Sequence, residues 1–190
     1  MQYTIQHIAQ QFNIPISSAT HFLSKFSKVE LLRGTVFQAA GKTCHSIGLI
    51  ESGLMKCVFH KDGEEVVFEF AYENQFIADY YSFVTQQPSE KEIVCLEDAI
   101  VYVIDRETLR ALAEDMPFVE DMNRKMNEFL FLKMHDRLKS QLLHTSTERY
   151  EQLIAERQDL ANRIPQYLLA SYVAVAPETL SRIRKKLASR

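Results

Sequence analysis

Six residues near the end of the chain combine the side chains that recognise base edges and phosphates: Glu178, Thr179, Ser181, Arg182, Lys185 and Lys186. Arginine presents a fork to guanine O6 and N7, a carboxylate accepts from cytosine N4, hydroxyls bond bases or phosphates, and lysines neutralise phosphate charge. Their spacing puts them on one side of a helix whose other side carries Leu180, Ile183 and Leu187. Pro177 suits the first helical position and Glu178 the positive end of the helix dipole, whereas Ala176 stands where a side-chain oxygen usually caps the helix. Upstream, Ala170 is small where two helices must nearly touch, and Ala174 and Val175 form a turn. Residues Ile164 to Arg190 therefore read as two short helices joined by a tight turn, the layout of a helix-turn-helix that places one helix in the DNA major groove. An amphipathic helix packed on its own domain has no need of that small residue, turn and second helix start.

The elements that must position this segment lie upstream. From Phe118 to Leu143 there is no Pro or Gly, and Val119, Met122, Met126, Leu130, Met134, Leu138 and Leu142 recur every three or four positions. This predicts one long helix with a continuous apolar stripe, opposite Asp121, Arg124, Lys125, Glu128, Asp136 and Lys139. Such a helix lies along its own domain or pairs with a copy of itself, and the two-fold habit of helix-turn-helix proteins favours pairing. Phe129, Phe131 and Leu132 broaden the stripe beyond a narrow seam, so the same helix is also expected to touch the N-terminal domain.

Between Gly34 and Ile104 the pattern is β. Short runs rich in Val, Ile, Phe and Tyr occur at 35–37, 45–50, 54–59, 65–70, 92–96 and 100–104. Turns fall at Gly41, Ser52-Gly53 and Asp62-Gly63, the last a strong hairpin signal because both central residues of a type I′ turn need positive φ. Many short strands without intervening helices predict a barrel or sandwich, and all five glycines fall at plausible turns. Ser17 to Phe26 reads as a short helix capped by Ser17 or Ser18.

Composition bounds the class. With 190 residues and 46% apolar content the chain can bury one large core or two smaller ones. The polar opening Met1-Gln2-Tyr3-Thr4 is no signal peptide and charges interrupt every apolar run, so a cytoplasmic location and no membrane partner are expected. The three cysteines, Cys44, Cys57 and Cys95, fit reduced thiols. Net charge is −3 overall. From Ser146 onward eight basic residues (Arg149, Arg157, Arg163, Arg182, Arg184, Lys185, Lys186, Arg190) face five acidic ones (Glu148, Glu151, Glu156, Asp159, Glu178), a local net of +3 that leaves −6 upstream. Phosphate attraction is thus confined to the C-terminal end.

Helices, β-domain, long helix and helix-turn-helix, in this order, resemble the cyclic-AMP receptor protein and fumarate-nitrate regulator (Crp/Fnr) family of bacterial transcription factors, in its short-tailed branch. The most specific strings are Ile164-Pro165-Gln166-Tyr167-Leu168-Leu169-Ala170-Ser171-Tyr172 and Pro177-Glu178-Thr179-Leu180-Ser181-Arg182-Ile183-Arg184-Lys185. The resemblance implies an α+β chain: a β-roll sensor of the cyclic-nucleotide-binding jelly-roll type over 1–117 with N-terminal helices, a dimerisation helix over 118–145 and a winged-helix or helix-turn-helix DNA-binding domain over 146–190. It implies as partners double-stranded DNA, a second copy of the chain, RNA polymerase and an unknown small-molecule effector. By position, Glu178 and Arg182 would contact a G·C pair in each half-site and Ser181 a neighbouring base; the Glu-Thr-Leu-Ser-Arg string is nearer the fumarate-nitrate branch and implies a TGA-containing inverted repeat. Ala174 replaces the glycine usual in the family's turn, at a cost of about 1 kcal/mol if its φ is positive.

The effector site departs most from the family. Its cyclic-nucleotide branch holds ribose and phosphate with a Gly-Glu pair and an Arg followed by Ser or Thr; here the matching strings are Phe76-Ile77-Ala78-Asp79-Tyr80 and Pro88-Ser89-Glu90-Lys91. Asp79 can stand in for the ribose-binding acid, but Ser89 occupies the arginine position, Glu90 repels phosphate, and Lys91 lacks the guanidinium fork. A response to cyclic AMP is therefore not expected. Phe76, Tyr80, Tyr81 and Phe83 either line a more apolar pocket or fill the roll. Cys44, His45, Cys57 and His60 could meet across neighbouring strands, but their spacing matches no zinc ribbon or finger, and no metal or cofactor is expected. No phosphate loop, His-Glu-x-x-His or nucleophile elbow occurs, so the chain is not expected to be an enzyme. The competing reading is a β-roll sensor or protein-interaction module with a degenerate DNA-reading helix.

Overall fold

The structure, a computed structural model, describes residues 2–156 and 159–188; Met1, Arg157 and Arg190, used above for the opening residues and the charge balance, lie outside the described residues. Two compact units are present, Met1–His60 with Phe68–Asn127, and Lys61–Val67 with Glu128–Arg190.

The first unit opens with α1 (Gln2–Phe12) and α2 (Ile16–Leu23). The serine cap expected for the second helix is not used: the chain turns helical directly after Pro15, whose ring fixes φ at −58°, and no side-chain oxygen bonds the first turn. Among the described residues eight strands follow: β1 (Ser27–Leu31), β2 (Val36–Gln38), β3 (Ser46–Ser52), β4 (Met55–Lys61), β5 (Glu64–Ala71), β6 (Phe76–Ile77), β7 (Lys91–Cys95) and β8 (Ala99–Asp105). They form two four-stranded sheets, ordered β1-β8-β3-β6 and β2-β7-β4-β5, with antiparallel neighbours in every described pair. This is the jelly-roll sandwich that the strand pattern predicts. The Asp62-Gly63 turn has both φ values positive, 55° and 82°, as a type I′ hairpin requires. Two short helices went unforeseen, α3 (Tyr80–Thr85) and α4 (Arg106–Asp115). The second is capped by Asp105, whose carboxylate accepts from the Thr108 N–H at 2.8 Å and is held below its ordinary range by that bond.

Apolar burial is divided by the sheets. Ile50, Met55, Cys57, Ile77, Ile93, Cys95 and Val101 fill the space between them. Outside, the four helices and the start of α5 (Pro117–Leu143) cover Leu49, Tyr102 and Ile104. Cys44 and Cys57 therefore belong to different cores, and His60 faces Glu92 at 3.4 Å. Burial pushes the Cys44 and Cys95 thiols up, which keeps them protonated. Gly48 does not sit at a turn, contrary to the sequence reading. It lies within β3, where an added Cβ would come 2.7 Å from Val101 Cγ1 and 3.0 Å from both Ile77 Cγ2 and Phe37 Cζ.

The long helix starts at Pro117, but its apolar residues do not keep to one face. A step of four residues overshoots a full turn by about 40°, so the row from Val119 to Leu142 winds round the helix. Val119 and Met122 are buried in the first unit's core, with Phe118 and Met126 packed beside them. These four residues make the contact with the N-terminal domain that was expected of the helix, and further along Phe129, Phe131, Leu132, Leu138 and Leu142 are exposed.

In the second unit, α6 (Ser146–Glu156), α7 (Leu160–Arg163), α8 (Gln166–Tyr172) and α9 (Pro177–Ala188) enclose Tyr150, Leu153, Leu160, Ile164, Leu168, Leu169, Leu180 and Ile183. Thr145 and Glu148 cap α6 reciprocally: the Thr145 N–H donates to Glu148 Oε2 at 2.7 Å, and the Glu148 N–H to Thr145 Oγ1 at 3.3 Å. The hairpin tip belongs to this unit, with the Val67 N–H donating to Ser171 Oγ at 3.0 Å. No strand follows β8 among the described residues, so no β-wing accompanies the helix pair there.

Replacing Gly48 with alanine is expected to overpack the gap between the sheets and lower unfolding stability by about 1–3 kcal/mol. Denaturant titration checks this; no loss of stability would mean that the sheets separate without cost.

Candidate functional site

The helix pair is built as its residues require. Pro165, with φ −54° and ψ 139°, delivers the chain into α8, which buries Leu168, Leu169 and Ala170. The helix ends in a Schellman closure, with Val175 N–H donating to Ala170 O at 3.0 Å and Ala174 N–H to Ser171 O at 3.1 Å. The left-handed position that this closure needs is filled by Ala174 at φ 57°. Ala176 starts α9 with its carbonyl alone, accepting from the Thr179 and Leu180 N–H groups, and it has no side-chain oxygen to cap them.

Burial then sorts the faces of α9. Leu180 and Ile183 are buried and Leu187 is half-buried. Glu178, Thr179, Arg182, Lys185 and Lys186 are exposed and Ser181 is half-buried. At about 100° per residue, the six occupy an arc of roughly 160° opposite the leucines and isoleucine. A carboxylate, two hydroxyls and three cations thus share one exposed surface at the start of a supported helix.

The residues expected at an effector pocket separate into two groups. Asp79, Ser89 and Lys91 come together inside the β-roll. The Asp79 side chain is 1% exposed, and Lys91 Nζ lies 2.7 Å from its Oδ1. That contact lies off hydrogen-bond direction, leaving Oδ1 with no hydrogen-bond donor and the attraction Coulombic. Oδ2 accepts from Ser89 Oγ at 2.6 Å. Ser89 Oγ accepts in turn from the Lys91 N–H at 3.1 Å, closing a three-residue ring. The ammonium also sits over the Phe68 ring, 4.6 Å from its centroid, with Phe59 at 6.0 Å.

Residues 28–116 match the family model described as cyclic nucleotide-binding domain. This stretch is a cyclic nucleotide-binding domain. No curated protein matches the sequence. Solved structures with the same fold include the c-di-GMP-responsive global regulator CLP of Xanthomonas campestris, 16% identical over 92% of both chains with a TM-score of 0.73. FixK2 of Bradyrhizobium japonicum is 14% identical over 86% of this chain and 85% of its own, with a TM-score of 0.75. A transcriptional regulator of the Crp/Fnr family from Eubacterium rectale is 13% identical over 97% of this chain and 88% of its own, with a TM-score of 0.70. The chain therefore joins a cyclic nucleotide-binding domain to the overall fold of the Crp/Fnr regulators.

Within the cyclic nucleotide-binding domain, the other two pocket candidates face elsewhere. Phe76 packs edge-on against Phe12 with centroids 6.5 Å apart, in the helix-covered core. Tyr80 stacks on Phe83 at 6.3 Å and donates its hydroxyl to Asn127 Oδ1 at 2.7 Å. Tyr81 alone of that aromatic group is largely exposed. The aromatic segment is thus mostly core, one of the two readings left open by the sequence. Sequence reasoning named Lys91 only as a weak phosphate ligand; that it neutralises Asp79 was signalled by an acid and a lysine flanking the same short β-roll segment.

Lys91→Met is expected to strand the buried Asp79 carboxylate and cost about 3–5 kcal/mol of stability, whereas Asp79→Asn with Lys91→Met should recover much of the loss. Urea titration of the two variants checks the pairing; equal losses would show that the two side chains do not depend on one another.

Proposed function

We propose that the chain is a sequence-specific DNA-binding transcription regulator of the Crp/Fnr type, acting as a homodimer on an inverted repeat and not responding to cyclic AMP. The observation that carries this reading is the sorting of α9: Leu180 and Ile183 are inside, while Glu178, Ser181 and Arg182 share the outer surface with Thr179, Lys185 and Lys186. In this reading residues 1–117 are the sensor, 118–145 pair two copies, and 146–190 read DNA. Pairing is supported by Phe131, Leu138 and Leu142, large apolar side chains that lie within about 40° of one another round the α5 axis and are left exposed in a single chain. Burying them against the same helix of a second copy removes that surface from water and sets two reader helices about a two-fold axis.

Indifference to cyclic AMP follows from the Asp79–Ser89–Lys91 ring. An incoming cyclic phosphate meets a buried carboxylate already matched to the Lys91 ammonium, and taking Lys91 for itself would strand Asp79. The effector, if one acts, has a different chemistry.

Binding of the full chain to random genomic fragments across a salt series tests the reading. Arg182→Ala is expected to cost about 1–3 kcal/mol on the preferred site and to relax its specificity, while Lys185→Ala weakens all sequences alike and reduces the salt slope by about 0.9. Cyclic AMP should change none of these affinities. Equal losses on every sequence for both variants would remove the base-reading role of Arg182, and salt-independent or absent binding would leave the protein-interaction reading instead.

A further inference from the structure

Arg149, one of the eight cations that make the C-terminal segment basic, is turned inward. It is half-buried on α6, and its guanidinium donates from Nε and Nη2 to Val173 O at 3.0 and 2.8 Å and from Nη1 to His144 O at 2.7 Å. Nη2 also lies 3.3 Å from Ser146 Oγ. Val173 is the C-cap residue of α8, and His144 follows the last residue of α5. One planar cation thus closes two helix C-termini, where unpaired carbonyls carry partial negative charge.

The place of that closure matters. The Schellman bonds of the turn use the carbonyls of Ala170 and Ser171, and the carbonyl of Val173 goes to Arg149. The next residue is Ala174, held at φ 57° without the freedom of glycine, and three residues later α9 begins. The direction of α9 is set at this strained residue. A bidentate grip on the peptide just before it supplies the restraint that keeps the left-handed conformation populated.

We infer that Arg149 is a positioning residue for the reader helix: it locks the Val173-Ala174 turn to the end of α5 and so aims Glu178, Ser181 and Arg182, and it does not contact a phosphate. The inference rests on the reading of α9 as a DNA-binding helix. It separates one charge from the other C-terminal cations by what that charge does.

The test uses the full chain with Arg149→Lys, which keeps the charge and loses the fork, and Arg149→Ala. Each is measured against a preferred and a scrambled duplex over a salt series, with amide hydrogen exchange followed in parallel. Both variants should lose about tenfold in the ratio of preferred to scrambled affinity, the effect expected from losing a charge-assisted hydrogen bond. The salt slope should stay unchanged, and amides over 173–180 should exchange faster while those over 28–116 keep their protection. Full rescue by lysine would overturn the inference, and so would a salt slope shallower by about 0.9 with unaltered exchange, the mark of a phosphate contact. If the parent chain binds neither duplex, the DNA-binding reading fails. The exchange over 173–180 then decides alone: faster exchange in both variants upholds the lock, and unchanged exchange overturns it.

Discussion

Leu180 is fully buried, and the consequences of that one burial reach across the second unit. A helix of 12 residues has little stability of its own in water and is held by the surface against which it packs. Anchoring Leu180 and Ile183 beside Leu168, Leu169 and Ala170 fixes the rotation of α9 about its axis, and that rotation decides which side chains face outward. The Schellman turn at Ala174 sets the angle, and Arg149 restrains the turn. Apolar packing thereby determines where a carboxylate, two hydroxyls and three cations stand, and the chemistry of the outer face depends on the inner one.

The β-roll is governed by a different constraint. A buried carboxylate must be neutralised, and Asp79 finds its partners within the chain in Lys91 and Ser89. In this β-roll the ammonium of Lys91 and the carboxylate of Asp79 are paired with each other. The same principle that lets such a domain bind a phosphate, a charge waiting in a low-dielectric site, is here closed on itself. The family match over residues 28–116 speaks for the fold, and the ion pair inside them is the basis of the proposal made above for its effector.

Much of this was legible in residue types and spacing. The strands of the roll, the Asp62-Gly63 hairpin, the long helix and the two-helix C-terminal segment follow from periodicity and turn chemistry. The positive φ at Ala174 follows from the tightness of the turn. What was not legible has physical reasons. β1 lies where Lys28 and Glu30 flank Val29, and short amphipathic runs beside a helix give little period to read. Gly48 looks like a turn residue because glycine usually is one, and only packing reveals that it makes room for Phe37. The apolar row of α5 looked like one face because a four-residue spacing is locally helical, although over six turns it winds round the axis. The Thr145-x-x-Glu148 cap was present in the sequence as a recognisable signal and marks the start of α6. Arg149 carried no such signal, since a charge bound to two carbonyls and a charge facing solvent are the same letter.

Whether two copies of this chain place one reader helix each on DNA is decided by selecting bound duplexes from a random pool with the full chain. The expected selection is an inverted repeat whose half-sites contain TGA and are centred about one helical turn, some 10 base pairs, apart. Recovery of unrelated sequences, or of single half-sites without symmetry, would contradict it.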